Sequence, residues 1–151
     1  MGAFLTQHPE LSRAVVTHVG IYDMLRFELE PNGAFNSTEF GTVKDPAQFR
    51  ALFAYSPYHQ VWDGTHYPAV FILTGEKDGR VSPANSRKMA ARLQQANASA
   101  NPVLVLLSSA ADHGMGTALA ERIAENADVL AFLFNQLGMT QPSARDFERS
   151  V

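Results

Sequence analysis

Tyr67–Gly75 reads YPAVFILTG and runs into Glu76-Lys77-Asp78-Gly79-Arg80; Pro102–Ser108 reads PVLVLLS and leads to Asp112-His113-Gly114. Both runs are continuously apolar rather than alternating, the pattern of parallel strands buried on two faces. One delivers an acid and the other a histidine, each just past the strand. Parallel sheets place their sites at that carboxyl end. Acid then histidine is also the order of the last two members of a Ser…Asp…His triad. There the acid fixes the imidazole tautomer while the other ring nitrogen activates a hydroxyl. No G-x-S-x-G occurs in the 151 residues, so the layout lacks its usual nucleophile motif.

Working outward, Ala14–Val19 (AVVTHV) is β-branched, bounded by Gly20, and reads as a third buried strand. Gly2–His8 would form a helix without a capping residue, stopped by Pro9, with Pro9–Ser12 as a turn. Tyr22–Phe27 suggests a short helical turn and Pro31-Asn32-Gly33 a loop. Asp45-Pro46 reads as N-cap and first helical residue, Gln48 adds a capping-box spacing, and Phe49, Leu52 and Phe53 form an apolar face. Pro83 opens a helix to about Ala96 with Met89, Leu93 and Ala96 on one face, and Leu119, Ile123, Ala127, Leu130 and Phe134 space a helix ending at Gly138. Three strands separated by helical patterns define an α/β class: about three parallel strands with flanking helices. The expected domain is 1–138, with 139–151 a polar, flexible tail.

Composition narrows the function classes. The chain is 46% hydrophobic, enough for one core. Only 18% of residues are charged and the formal net charge is −3, which leaves no electrostatic footprint for nucleic acid or anionic membrane. Cysteine is absent, excluding disulfides, thiolate nucleophiles and thiolate metal sites. With no signal-peptide pattern and no long apolar run, a cytoplasmic location is expected. His8, His18, His59 and His66 show no H-x-x-x-H or H-E-x-x-H spacing, so no metal or cofactor is expected. His18 reads as a core or rim residue.

On local sequence alone, Lys77-Asp78-Gly79-Arg80 also fits a solvated turn and His113 a solvated loop residue. Ser82, Ser108 and Ser109 lie near strand ends, but none sits on a nucleophile elbow.

Many segments in order then carry a resemblance: Leu5-Thr6-Gln7-His8-Pro9-Glu10-Leu11, Asp23-Met24-Leu25-Arg26, Glu39-Phe40-Gly41, Tyr55-Ser56-Pro57-Tyr58-His59, Asp63–Ala69, Asp78-Gly79-Arg80-Val81 and His113-Gly114. From about Gly2 to Gly138 the chain resembles the C-terminal part of the α/β-hydrolase catalytic domain of the prolyl oligopeptidase family. The resemblance implies Asp78 as triad acid and His113 as general base. It implies Arg80 as the arginine that binds a substrate carbonyl, and Ile21 and Val81 as apolar pocket residues. Phe35 falls where the family commonly has the tryptophan that stacks on the substrate proline, and Phe40 where it has a tyrosine. It further implies that the chain starts just past the nucleophile serine and carries three of eight strands, as a split-off piece.

Two expectations follow. Function would be serine-hydrolase-type, on a peptide or small ester, with weak ester hydrolysis through water activated at His113. The alternative is a non-catalytic binding or assembly module. The strand Ala14–Val19, lacking its neighbour, would leave an apolar edge and favour a homo-oligomer.

Overall fold

In the computed structural model, residues 1–108 and 119–140 are described; Ser109, Asp112, His113 and the tail from 141 lie outside them. The order is α1 (Gly2–Gln7), β1 (Ala14–His18), α2 (Gly33–Phe40), α3 (Pro46–Tyr55), β2 (Ala69–Gly75), α4 (Ala84–Ala96), β3 (Val103–Ser108) and α5 (Leu119–Leu137). Short 3-10 turns occupy Pro9–Leu11, Phe27–Leu29 and Pro57–Gln60. The three strands form one parallel sheet in the order β1-β2-β3, with Ala14 opposite Ala69 and Val70 opposite Val103. The central strand is buried at all seven positions, which explains its unbroken apolar run.

Each face of the sheet has its own core. Val15, Val70, Ile72 and Val103 pack with Met89, Ala90, Leu93 and Ala96 of α4 and Leu5 of α1. On the other face Ala69, Phe71 and Leu73 meet Phe132 of α5, with Val129 and Leu133 alongside. Met24, Phe27 and Leu52 build a third cluster under the loop that follows β1. These clusters make β2 the fixed reference from which the residues after Gly75 project.

Three elements differ from the sequence reading. Helix α2 lies where only a loop is legible: GAFNSTEF is rich in poor helix formers and its N-terminus has no side-chain cap. Tertiary contacts hold it, with Phe40 edge-on to buried Phe27 (centroids 5.9 Å apart) and Glu28 accepting from the Val43 N–H at 2.7 Å. At α3, Asp45 caps as expected, accepting from Ala47 and Gln48 N–H at 2.9 and 2.8 Å. Gln48 does not close the box; its Oε1 accepts from Thr42 N–H at 2.7 Å, against Gly41 at φ 91°. Of the α3 apolar face only Leu52 is buried, while Phe49 and Phe53 stack on each other at the surface.

Helix α5 turns out its sequence stripe. Leu119, Ile123 and Leu130 are 70%, 60% and 55% exposed, and the residues against the sheet are Val129, Phe132 and Leu133. Gly138, at φ 66°, ends the helix: its N–H reaches Asn135 O and Met139 N–H reaches Phe134 O, a Schellman pattern.

Candidate active site

The turn after β2 is built around Asp78. Its Oδ1 accepts from the N–H groups of Arg80 and Val81 at 2.8 and 2.9 Å, and its own N–H donates to Gly75 O. An aspartate that caps two backbone donors two and three residues on is locked in orientation. Asp78 and Val81 are buried and Arg80 is exposed, so the turn presents a fixed carboxylate beside a solvent-facing guanidinium. The solvated-turn alternative therefore fails for Asp78.

The second piece is the loop after β1. Val19 sits at φ 43°, a left-handed conformation rare for a β-branched residue, and its N–H donates to Leu73 O at 2.9 Å. Such strain concentrates at functional sites. Ile21 and Phe40 line a cleft of about 570 Å³ with Val16, His18, Tyr55 and Pro57. His18 is exposed at this cleft, so its place is the rim and not the core. Phe35 is 73% exposed on α2 and does not line the cleft. Ile21 and Phe40 are thus brought together, Asp78, Arg80 and Val81 share a turn, and Phe35 stands apart. Ser82 uses its Oγ to accept from Ala84 N–H at 3.3 Å, at the start of α4.

Sequence reasoning missed the polar network beneath the loop. Asp23 is buried and pairs with Lys88 and, at 2.9 Å, with Arg26. Burial opposes its ionisation, yet the hydrogen bonds and charges of Lys88 and Arg26 win and hold its pKa below the usual value. Ser56 Oγ lies 2.8 Å from His59 Nδ1, and Asp23 Oδ1 is 3.8 Å from that same nitrogen. This Ser–His–Asp group is not a triad. A relay needs the acid on one ring nitrogen and the hydroxyl on the other, and here both meet Nδ1. Ser56 is also fully buried and receives the Met24 N–H at 3.1 Å. Burial, with Arg26 and Lys88, lowers the His59 pKa despite Asp23, which favours the neutral ring. The only sequence signal was Ser56-Pro57-Tyr58-His59, an i, i+3 pair on a turn.

Among the described residues no group of three His, Cys, Asp or Glu side chains is placed to hold a metal, and no helix is long and apolar enough to cross a membrane.

A parallel sheet whose central strand leads into a backbone-locked aspartate fits the α/β-hydrolase class. The prolyl oligopeptidase family profile matches residues 1–140. The prolyl endopeptidase of Elizabethkingia miricola is 39% identical over 140 residues, 92% of this chain and 20% of that protein. The prolyl endopeptidase of Dictyostelium discoideum is 35% identical over 142 residues, 92% of this chain and 19% of that protein. A structure from a mechanistic study of two prolyl endopeptidases superposes with TM-score 0.89 at 37% identity, covering 92% of this chain and 20% of that one. Oligopeptidase B from Trypanosoma brucei with covalently bound antipain gives TM-score 0.88 at 25% identity, over 94% of this chain and 20% of that one. The chain belongs to the prolyl oligopeptidase family. It spans about a fifth of the length of these relatives, and corresponds to part of a serine-hydrolase-type peptidase domain.

Proposed function

We propose that this chain carries the acid, the base and part of the substrate pocket of a serine-peptidase site for proline-containing peptides. Asp78 is the acid, His113 the base, and Arg80 binds a substrate carbonyl. Ile21, Val81 and Phe40 supply apolar contacts to the proline side. The carrying observation is the Asp78 turn: a buried carboxylate with one oxygen held by Arg80 and Val81 N–H, at the carboxyl end of the central strand. Membership in the family supports the reading, as does the order of Asp78 and His113 in the chain.

The sequence holds no G-x-S-x-G, and on this reading the chain by itself is a weak catalyst. His113, oriented by Asp78, activates water toward activated esters, a slow route compared with covalent catalysis. Fluorophosphonate labelling with mass mapping, alongside nitrophenyl acetate hydrolysis by wild type and His113→Ala, tests this. We expect slow hydrolysis lost in the variant and no labelled serine. A labelled Ser82, Ser108 or Ser109 would replace water by a substitute nucleophile. Hydrolysis unchanged in His113→Ala would remove the base from the mechanism.

A second reading, a non-catalytic self-associating module, is favoured by one specific feature. Leu119, Ile123 and Leu130 on α5 and Leu104 on the edge strand β3 are exposed apolar side chains. No hydrolysis together with stable oligomers would select it.

A further inference from the structure

Two polar side chains join the halves of the candidate site, and neither has a role in the reading above. Asn85, in the first turn of α4, is 3% exposed. Its Oδ1 accepts from the N–H groups of Tyr22 and Asp23, at 3.1 and 3.2 Å, directly after Ile21. Its Nδ2 donates to Glu30 Oε1 and also lies 3.4 Å from Ser82 O. Glu30 Oε2 in turn accepts from Ser82 N–H at 3.3 Å. Ser82 follows Val81, the last residue of the Asp78 turn. The chain of bonds therefore runs from the pocket loop, through Asn85 and Glu30, to the backbone of the acid turn.

The donor and acceptor pattern leaves little freedom. Asn85 spends its carbonyl oxygen on two loop amides and its NH2 group on Glu30, so its amide orientation is fixed. Glu30, as a carboxylate, can accept from both Asn85 and Ser82 with separate oxygens. Such a bridge sets the spacing of loop and turn. Buried and fully satisfied networks of this kind specify one arrangement.

We infer that Glu30 and Asn85 are positioning residues that fix the separation of the Ile21 pocket wall from the Asp78–Val81 turn, and so the width of the slot that receives the substrate's proline. The inference rests on the proposed proline-peptide reading for its functional meaning, and on the hydrogen bonds alone for the coupling.

The test is amide and methyl NMR of the full chain, with N-acetyl-proline amide as the probe ligand. Asn85→Asp sets a second carboxylate against Glu30 and removes the only donor between them. It should shift the amide signals of Tyr22, Asp23 and also Ser82, and weaken probe binding at Ile21 and Val81 at least tenfold. The double variant Asn85→Asp/Glu30→Gln exchanges donor and acceptor, and should restore the amide shifts and bring affinity within about threefold of wild type. Glu30→Gln alone is a mild control that keeps the acceptor for Asn85 and loses the one for Ser82, so Ser82 should move more than Tyr22. If Asn85→Asp moves Tyr22 and Asp23 but leaves Ser82 and Val81 unchanged, there is no clamp. Failure of the double variant to recover either readout also overturns it. If wild type shows no probe shifts at all, the proline reading fails, while the clamp still stands or falls on the Ser82 and Tyr22 amides.

Discussion

Replacing Asp78 by asparagine keeps an oxygen where Arg80 and Val81 donate, whereas alanine removes it. Asp78→Ala should therefore cost about 2 kcal/mol, the order expected for hydrogen bonds to a charged group, or roughly 4–8 °C in a domain of this size. Asp78→Asn should leave the melting temperature nearly unchanged; on the proposed pairing of Asp78 with His113 it should also lower ester hydrolysis sharply, because the imidazole would lose its orienting charge. Calorimetry and an ester assay on the two variants separate the structural role from the catalytic one. The Asp23–His59 network makes a second residue-scale prediction. His59 has its pKa lowered by burial, so the unfolded chain takes up its proton first as pH falls below about 6.5. Stability should be fully present above that pH and decline below it. Asp23 has a lowered pKa, so its contribution is present above about 4 and is lost as pH falls further. Melting curves between pH 8 and pH 4 should show the first decline in wild type and a flatter profile in His59→Gln. An identical profile in that variant would assign the decline elsewhere.

Elements were legible where local pattern and tertiary environment agree. Met89, Leu93 and Ala96 on α4 all face the sheet, as their spacing requires, and the continuous runs of β2 and β3 are the parallel strands. Asp45 before Pro46 gave the start of α3, and Asp45→Ala should lower stability by about 1 kcal/mol, near 2–4 °C by calorimetry. A loss below 1 °C would mean that Pro46 and the tertiary contacts of α3 suffice. Helix α2 was not legible, because its sequence disfavours helix and its support comes from Phe27 and Glu28, before the loop. The same limit applied to Asn85 and Glu30, which are 55 positions apart and bonded only through the fold. Helix α5 was legible as a helix but not in orientation. Its two apolar stripes compete, and the sheet takes Val129, Phe132 and Leu133 while leaving the other outside.

At the scale of the whole molecule, the exposed stripe of α5, Leu104 on β3 and the strand edges left unpaired among the described residues are the surfaces that favour association. We propose a homo-oligomer. Exposed apolar surface beyond a few hundred Å2 is unusual for a monomer, and a stable dimer buries on the order of 800 Å2 per partner. Sedimentation velocity should show a concentration-dependent dimer or larger species at low micromolar concentration. Ile123→Glu/Leu130→Glu should shift it to monomer without unfolding, since both residues are exposed on α5. A compact monomer for the wild type would count against the proposal.

The sequence by itself determined the parallel α/β class, the strand that ends at Asp78 and the order of acid before histidine. Those features are local: apolar runs, turn residues and spacing. Only the tertiary structure decided that Asp78 is buried rather than solvated, that Phe35 stands apart from the cleft that Ile21 and Phe40 share, and that Asn85 and Glu30 tie the loop to the turn. Hydrogen bonds between residues distant in the chain leave no periodicity to read. They arise when the sheet brings the carboxyl ends of β1 and β2 side by side.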